Sequence, residues 1–176
     1  MPDMCAVLLV GFMGAGKTSV GRVLSRKLGW PFKDLDDQVQ ARDGRAIEQI
    51  FRESGESEFR RLETAALREL LTELASSPWV VAMGGGAFVQ PENRALIEAA
   101  GILAVFLYAP AEELFRRCER DVVRRPLQGG FREFQNLYEV RRPHYLKAGL
   151  TIDTNDKDVD TVAAEVACGL GLQSLS

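Results

Sequence analysis

The chain has 176 residues, room for one domain with a full core and little more. Hydrophobic residues make up 46% and charged residues 27%, an ordinary globular balance, and a net charge of −3 argues against a general nucleic-acid binder. Three scattered cysteines, no C-x-x-C spacing and a single histidine argue against a zinc site or a disulfide framework, and no apolar run approaches a membrane span. A monomer in the reducing cytoplasm, without nucleic-acid or membrane partners, is the expectation.

In chain order, residues 4–10 form an apolar run of strand length, with no basic stretch before it that would suggest a leader peptide. Gly11-Phe-Met-Gly14-Ala-Gly16-Lys17-Thr18 follows at once and fits G-x-x-x-x-G-K-[ST]. A helix over 19–28 carries Val20, Val23, Leu24 and Leu28 on one stripe. A short strand at 31–35 leads into a long helical excursion over 37–74, punctuated by Asp43-Gly44 and Ser54-Gly55. Within it, 58–74 places Phe59, Leu62, Ala66, Leu70 and Leu74 on a second stripe. Strands are predicted at 79–83, 102–108 and 150–153, and helices at 91–100, 110–120, 134–146 and 159–168. Residues 124–132, with Pro126 and Gly129-Gly130 among charges, read as a mobile lid. The alternation gives an α/β three-layer sandwich around a five-stranded parallel sheet, one domain over 1–176 with a substrate-binding insertion at about 36–63 and a lid at about 118–132.

The chemistry starts at the glycine loop. Its glycines let backbone N–H groups turn inward onto phosphates, Lys17 adds a cation, and the Thr18 hydroxyl can ligate Mg²⁺. The third strand ends in glycines and supplies no acid, so the carboxylates come from Asp34-Leu-Asp36-Asp37. Alternation along an extended segment would send Asp34 and Asp36 to one side, Asp34 toward the metal's water shell and Asp36 toward an acceptor hydroxyl. Helix N-capping is the competing use for an aspartate there. Gly84-Gly85-Gly86 suits close backbone approach to a ligand better than a tight corner alone. Arg60 lies beside an apolar stripe, and Glu63 three residues on could hold it, or the two could form a plain surface pair. Eight arginines fall between 116 and 142, and Arg141 and Arg142 form a second cluster. Arginine forks near a hydroxyl-orienting aspartate suit a small substrate bearing a carboxylate and alcohols. His144 reads as a packing or surface residue.

These motifs, in this order and over nearly the whole chain, resemble the shikimate kinase family. The matching residues are the loop at 11–18, Asp-Leu-Asp at 34–36, Gly-Arg-Ala-Ile-Glu-Gln-Ile-Phe at 44–51 and Gly-Glu-Ser-Glu-Phe-Arg-Arg-Leu-Glu at 55–63. The glycine triplet at 84–86, Arg-Pro-Leu at 125–127 and Arg-x-Pro-x-Tyr at 141–145 complete the set. The resemblance implies a P-loop fold and transfer of the ATP γ-phosphate to the 3-hydroxyl of shikimate, on the way to chorismate and the aromatic amino acids. It implies that Gly14, Ala15, Gly16, Lys17, Thr18 and Ser19 hold the nucleotide, with Thr18 and Asp34 serving Mg²⁺. Asp36, Arg60, Gly84, Gly85, Gly86 and Arg141 would bind the acceptor. Lys17, Asp36 and the lid residue Arg125 would act in catalysis, Arg125 by reaching the ATP phosphates. Arg117 would stack on adenine, although the spacing to Arg-Pro-Leu is one residue longer than usual and puts Cys118 in its direct register. Lys157 stands in the adenine-side loop, where some members carry an arginine.

Two rivals remain open on sequence: another small-metabolite or nucleoside monophosphate kinase, such as a gluconate kinase, and a catalytically silent nucleotide-binding protein. The arginine and glycine constellation argues against the first. The intact Lys17, Thr18, Asp34, Asp36 and Arg125 argue against the second.

Overall fold

The computed structural model describes residues 6–121 and 129–172. Five strands, β1 (Ala6–Val10), β2 (Phe32–Asp34), β3 (Trp79–Ala82), β4 (Leu103–Tyr108) and β5 (Leu150–Asp153), form one parallel sheet in the order β2-β3-β1-β4-β5. β1 is central, with Leu8 opposite Val81 on one side and Ala104 on the other, and all five of its residues are buried. Burial on both faces is why this strand reads as an unbroken apolar run.

The helices are α1 (Lys17–Leu28), α2 (Leu35–Asp43), α3 (Ile47–Leu74), α4 (Pro91–Ala99), α5 (Ala111–Arg120), α6 (Gly130–Tyr145) and α7 (Val159–Gly169). The β1–β2 connection runs toward one edge of the sheet, and the later connections all run the other way. Right-handed crossovers therefore put α1 on one face and α3 to α6 on the other. In keeping with this, α1 packs on α7, α3 on α4, and α5 on α6. That reversal also opens a crevice at the carboxyl ends of β1 and β3, where α/β sheets bind ligands. Among the described residues, no helix is long and apolar enough to cross a membrane.

The predicted strands and helices fall where the structure has them, with two revisions. The long excursion is two helices, α2 ending at Gly44 (φ 82°) and α3 running from Ile47 through a break at Gly55 (φ 80°, ψ 175°). The rings of Phe51 and Phe59 lie 4.6 Å apart across that break and hold its two arms together. α6 also begins at Gly130, a turn earlier than periodicity suggests, because Phe131 joins Phe115 in an edge contact at 5.4 Å. Residues 122–128 of the predicted lid, Arg125 included, lie outside the described residues.

Candidate functional site

The loop between β1 and α1 needs its glycines for different reasons. A Cβ on Gly11 would lie 2.9 Å from the Leu107 carbonyl oxygen, and one on Gly14 would lie 2.6 Å from that of Leu114. Gly16, left-handed at φ 86°, turns the chain into α1, whose first turn carries no acid. The exposed N–H groups and dipole of that turn therefore face the loop without a competing carboxylate. Phe12 is fully buried under Phe134 and Tyr138, with ring centroids 4.9 and 5.1 Å away, and fixes the loop to α6. Lys17 Nζ donates to the carbonyls of Gly11 at 2.8 Å and Phe12 at 3.0 Å, so its ammonium lies across the cradle. Ala15 is buried behind the loop, and Ser19 is exposed in the first turn of α1.

Thr18 Oγ1 donates to Asp34 Oδ2 at 2.9 Å, joining the loop to the end of β2. A hydroxyl and a carboxylate oxygen this close are suitable donors for Mg²⁺. No cluster of three metal-ligating side chains occurs among the described residues, so a Mg²⁺ here would take its other oxygens from phosphate and water.

The expected extended alternation of Asp34 and Asp36 does not occur. The chain turns helical at Leu35, and Asp34 caps α2 by accepting from the Asp36 N–H at 3.0 Å. Capping and metal-side contact are not alternatives: Asp34 uses Oδ1 for the first and Oδ2 for the second. Asp36 is carried by the first turn of α2 toward the glycine triplet, its Oδ1 2.7 Å from where a Gly84 Cβ would sit.

The triplet brings the acceptor-side residues together. A Cβ on Gly86 would lie 2.3 Å from Arg60 Nη2, and one on Gly85 would lie 3.8 Å from Arg141 Nη1 and 3.9 Å from the Met13 N–H nitrogen. Arg60 Nη1 donates to Glu63 Oε1 at 2.8 Å, and Glu63 is only 1% exposed, so this is no surface pair. Arg141 Cζ sits 5.7 Å from the centroid of Phe12, a cation–π contact that steers its fork from α6 over the loop. Tyr145 shows in the sequence only as the last residue of Arg-x-Pro-x-Tyr. One turn after Arg141, this buried hydroxyl donates to the Gly85 carbonyl and pins the triplet to α6. Its i, i+4 relation to Arg141 was the available signal.

On the other side of the loop, Arg117 donates to the Thr154 carbonyl at 2.9 Å, the Thr154 hydroxyl at 3.0 Å and the Gly14 carbonyl at 3.4 Å, with Glu113 accepting at 2.8 Å. Cys118 Sγ lies 3.0 Å from a Cβ built on Gly14. Both candidate registers thus meet the nucleotide loop, Arg117 bridging to the turn after β5 and Cys118 lying under Gly14. Lys157 is drawn to α7 by an ion pair with Glu165 at 2.7 Å. His144 on α6 is partly buried and stands apart from these contacts, its Nδ1 without a hydrogen-bond partner.

A glycine-rich loop and two arginines on one crevice, with an aspartate between them, are the arrangement of a P-loop kinase, a phosphotransferase acting on a small molecule. The shikimate kinase family model matches residues 13–169. The chain belongs to the shikimate kinase family. It is 42% identical over 163 residues to the shikimate kinase of Geobacter metallireducens, covering 91% of this chain and 88% of that one. The shikimate kinase from Acinetobacter baumannii, solved in complex with shikimate, superposes with a TM-score of 0.86 at 36% identity, over 96% of this chain and 94% of that one. A gluconokinase from Sinorhizobium meliloti shares the fold, with a TM-score of 0.61 at 18% identity over 94% of this chain and 91% of that one.

Proposed function

We propose that the chain transfers the γ-phosphate of ATP to the 3-hydroxyl of shikimate, giving shikimate 3-phosphate and ADP. The observation that carries this reading is the convergence of Arg60, Arg141 and Asp36 on a side-chain-free floor, Gly84–Gly86, against the phosphate loop. Two guanidinium forks match a carboxylate, and the aspartate faces the place where an alcohol would stand. Asp36 orients the hydroxyl and accepts its proton, while Lys17 and the loop N–H groups meet the charge on the phosphates. Mg²⁺, held from the protein side by Thr18 and Asp34, would neutralise charge between the β- and γ-phosphates. Arg117, bracketing Gly14 and Thr154, borders the adenine side.

The whole chain is read as one kinase domain, with α2 and α3 as far as Glu63, about 36–63, forming the acceptor-binding insertion. It would work as a cytoplasmic monomer on small molecules, without nucleic-acid or membrane partners. A coupled ADP-release assay with shikimate, quinate, gluconate and nucleoside monophosphates tests the assignment. Shikimate should be preferred; faster turnover of gluconate or a nucleotide would replace the acceptor, and no turnover with any of them would point to a silent nucleotide binder.

A further inference from the structure

Glu63 sits on the acceptor side of α3 with only one of its carboxylate oxygens engaged. Oε1 accepts from Arg60, whereas Oε2 is buried without a hydrogen-bond partner. Oε2 lies 3.3 Å from the site of a Gly84 Cβ, and Asp36 Oδ1 lies 2.7 Å from the same point. The two oxygens are therefore within about 6 Å, the range over which like charges oppose each other's ionisation. The charged groups facing Glu63 are Arg60 on its own helix, Asp36 on α2 and Arg141 on α6. The neighbouring Tyr145 phenol is pushed up to about 12 by burial and stays neutral, and the glycine triplet brings no charge. Burial raises the Glu63 carboxyl from 4.5 to about 7, outweighing the opposing pull of Arg60.

Resting on the acceptor reading above, we infer that Glu63 is a proton-linked positioning residue: it takes up a proton when the acceptor's carboxylate docks on Arg60 and Arg141, and so sets the pH dependence of acceptor affinity. The arriving carboxylate competes with Glu63 for the Arg60 fork. It also adds a third negative charge to a site that holds two cations. Protonating Glu63 from solvent relieves both conflicts and turns its unpaired acceptor oxygen into a donor.

One like charge at this range raises a carboxyl by about one unit. Shikimate affinity should then weaken about tenfold between pH 6 and 9, with uptake of roughly half a proton per site at pH 7.5. Titration calorimetry of the full chain with shikimate, in phosphate and in Tris, counts those protons from the buffer dependence of the heat. Glu63→Gln should take up none and show a flat affinity profile, and Glu63→Asp should restore the uptake. Binding by wild type without uptake, or unchanged uptake in Glu63→Gln, overturns the inference alone. Failure of wild type to bind shikimate overturns the acceptor reading and this inference with it. Should Glu63→Gln not fold, carboxyl ¹³C NMR of the wild type decides. A glutamate titrating near 7 and rising with shikimate supports the linkage, and its absence refutes it.

Discussion

Gly86→Ala adds one methyl group where the structure leaves none. Gly86 lies outside the left-handed region, so alanine fits its backbone. The new Cβ would meet the Arg60 guanidinium at 2.3, 2.5 and 2.6 Å, against 3.4 Å or more for ordinary contact. The guanidinium must withdraw by about 1 Å, and misplacement on that scale can cost up to 10²-fold in rate. It has somewhere to go: Arg60 also lines an open groove of about 670 Å³ with Arg61, Thr64 and Arg68. The fold should therefore lose little, about 1 kcal/mol or less. Loss of one charge-assisted hydrogen bond, worth about 1.5–3 kcal/mol, predicts a ten- to hundred-fold fall in kcat/KM for shikimate. The fall should lie in KM, since the clamp binds a part of the acceptor remote from the transferred phosphate. Gly84→Ala supplies the internal contrast. Its methyl would sit 2.7 Å from Asp36 Oδ1, so it should displace the hydroxyl-orienting carboxylate and lower kcat instead. Steady-state kinetics with saturating ATP, alongside ATP affinity by titration, separates the two. Wild-type KM in Gly86→Ala, or the same kinetic signature in both variants, would refute the view that the triplet positions Asp36 and Arg60 separately.

Lys17→Ala should cut turnover about 10²–10³-fold with the melting temperature nearly unchanged, as for loss of one preorganised electrostatic contact; more than a third of wild-type turnover would remove Lys17 from the mechanism. Arg60→Lys and Arg141→Lys keep the charge but lose the planar fork, so each should lower kcat/KM for shikimate about ten- to hundred-fold and barely affect an analogue without the carboxylate. Because Glu63 is raised from 4.5 to about 7 in the fold, its contribution to stability is complete below 4.5 and lost as pH rises to about 7. Over that window the wild type should lose at most about 3 kcal/mol from this group. Thermal melts of Glu63→Gln should lack this component, and parallel pH profiles would contradict the assignment.

The sheet was legible because β1, β3 and β4 are buried on both faces, which leaves an unmistakable apolar run. The phosphate loop was legible because its residue pattern is contiguous, although the neighbours that demand its glycines, Leu107 on β4 and Leu114 on α5, lie far along the chain. Asp34 and Asp36 were identified as a pair, but their geometry was not, since capping and metal-side contact stood as alternatives where Asp34 does both and the chain turns helical at Leu35. Glu63 was visible as a partner for Arg60. Its burial was not, because that depends on α2 and the triplet closing over α3, which no local periodicity encodes. Arg117 could not be separated from Cys118 by counting residues; both meet the loop, and Arg117 also bonds Thr154, brought near by the pairing of β4 with β5.

The strand order has a consequence for how such a protein can change its trade. On the proposed reading, Asp36, Arg60 and the glycine triplet, on the β2–β3 flank of the central strand, serve the molecule that receives the phosphate, and the turn after β5 and helix α5 serve the molecule that gives it. Arg141 and Tyr145 reach across from α6, the first over Phe12 and the second onto Gly85. A lineage could therefore rewrite one flank, residue by residue, and acquire a new clientele while its fuel supply stayed intact. The helix that crosses would be the part most resistant to such rewriting, because it answers to both sides at once.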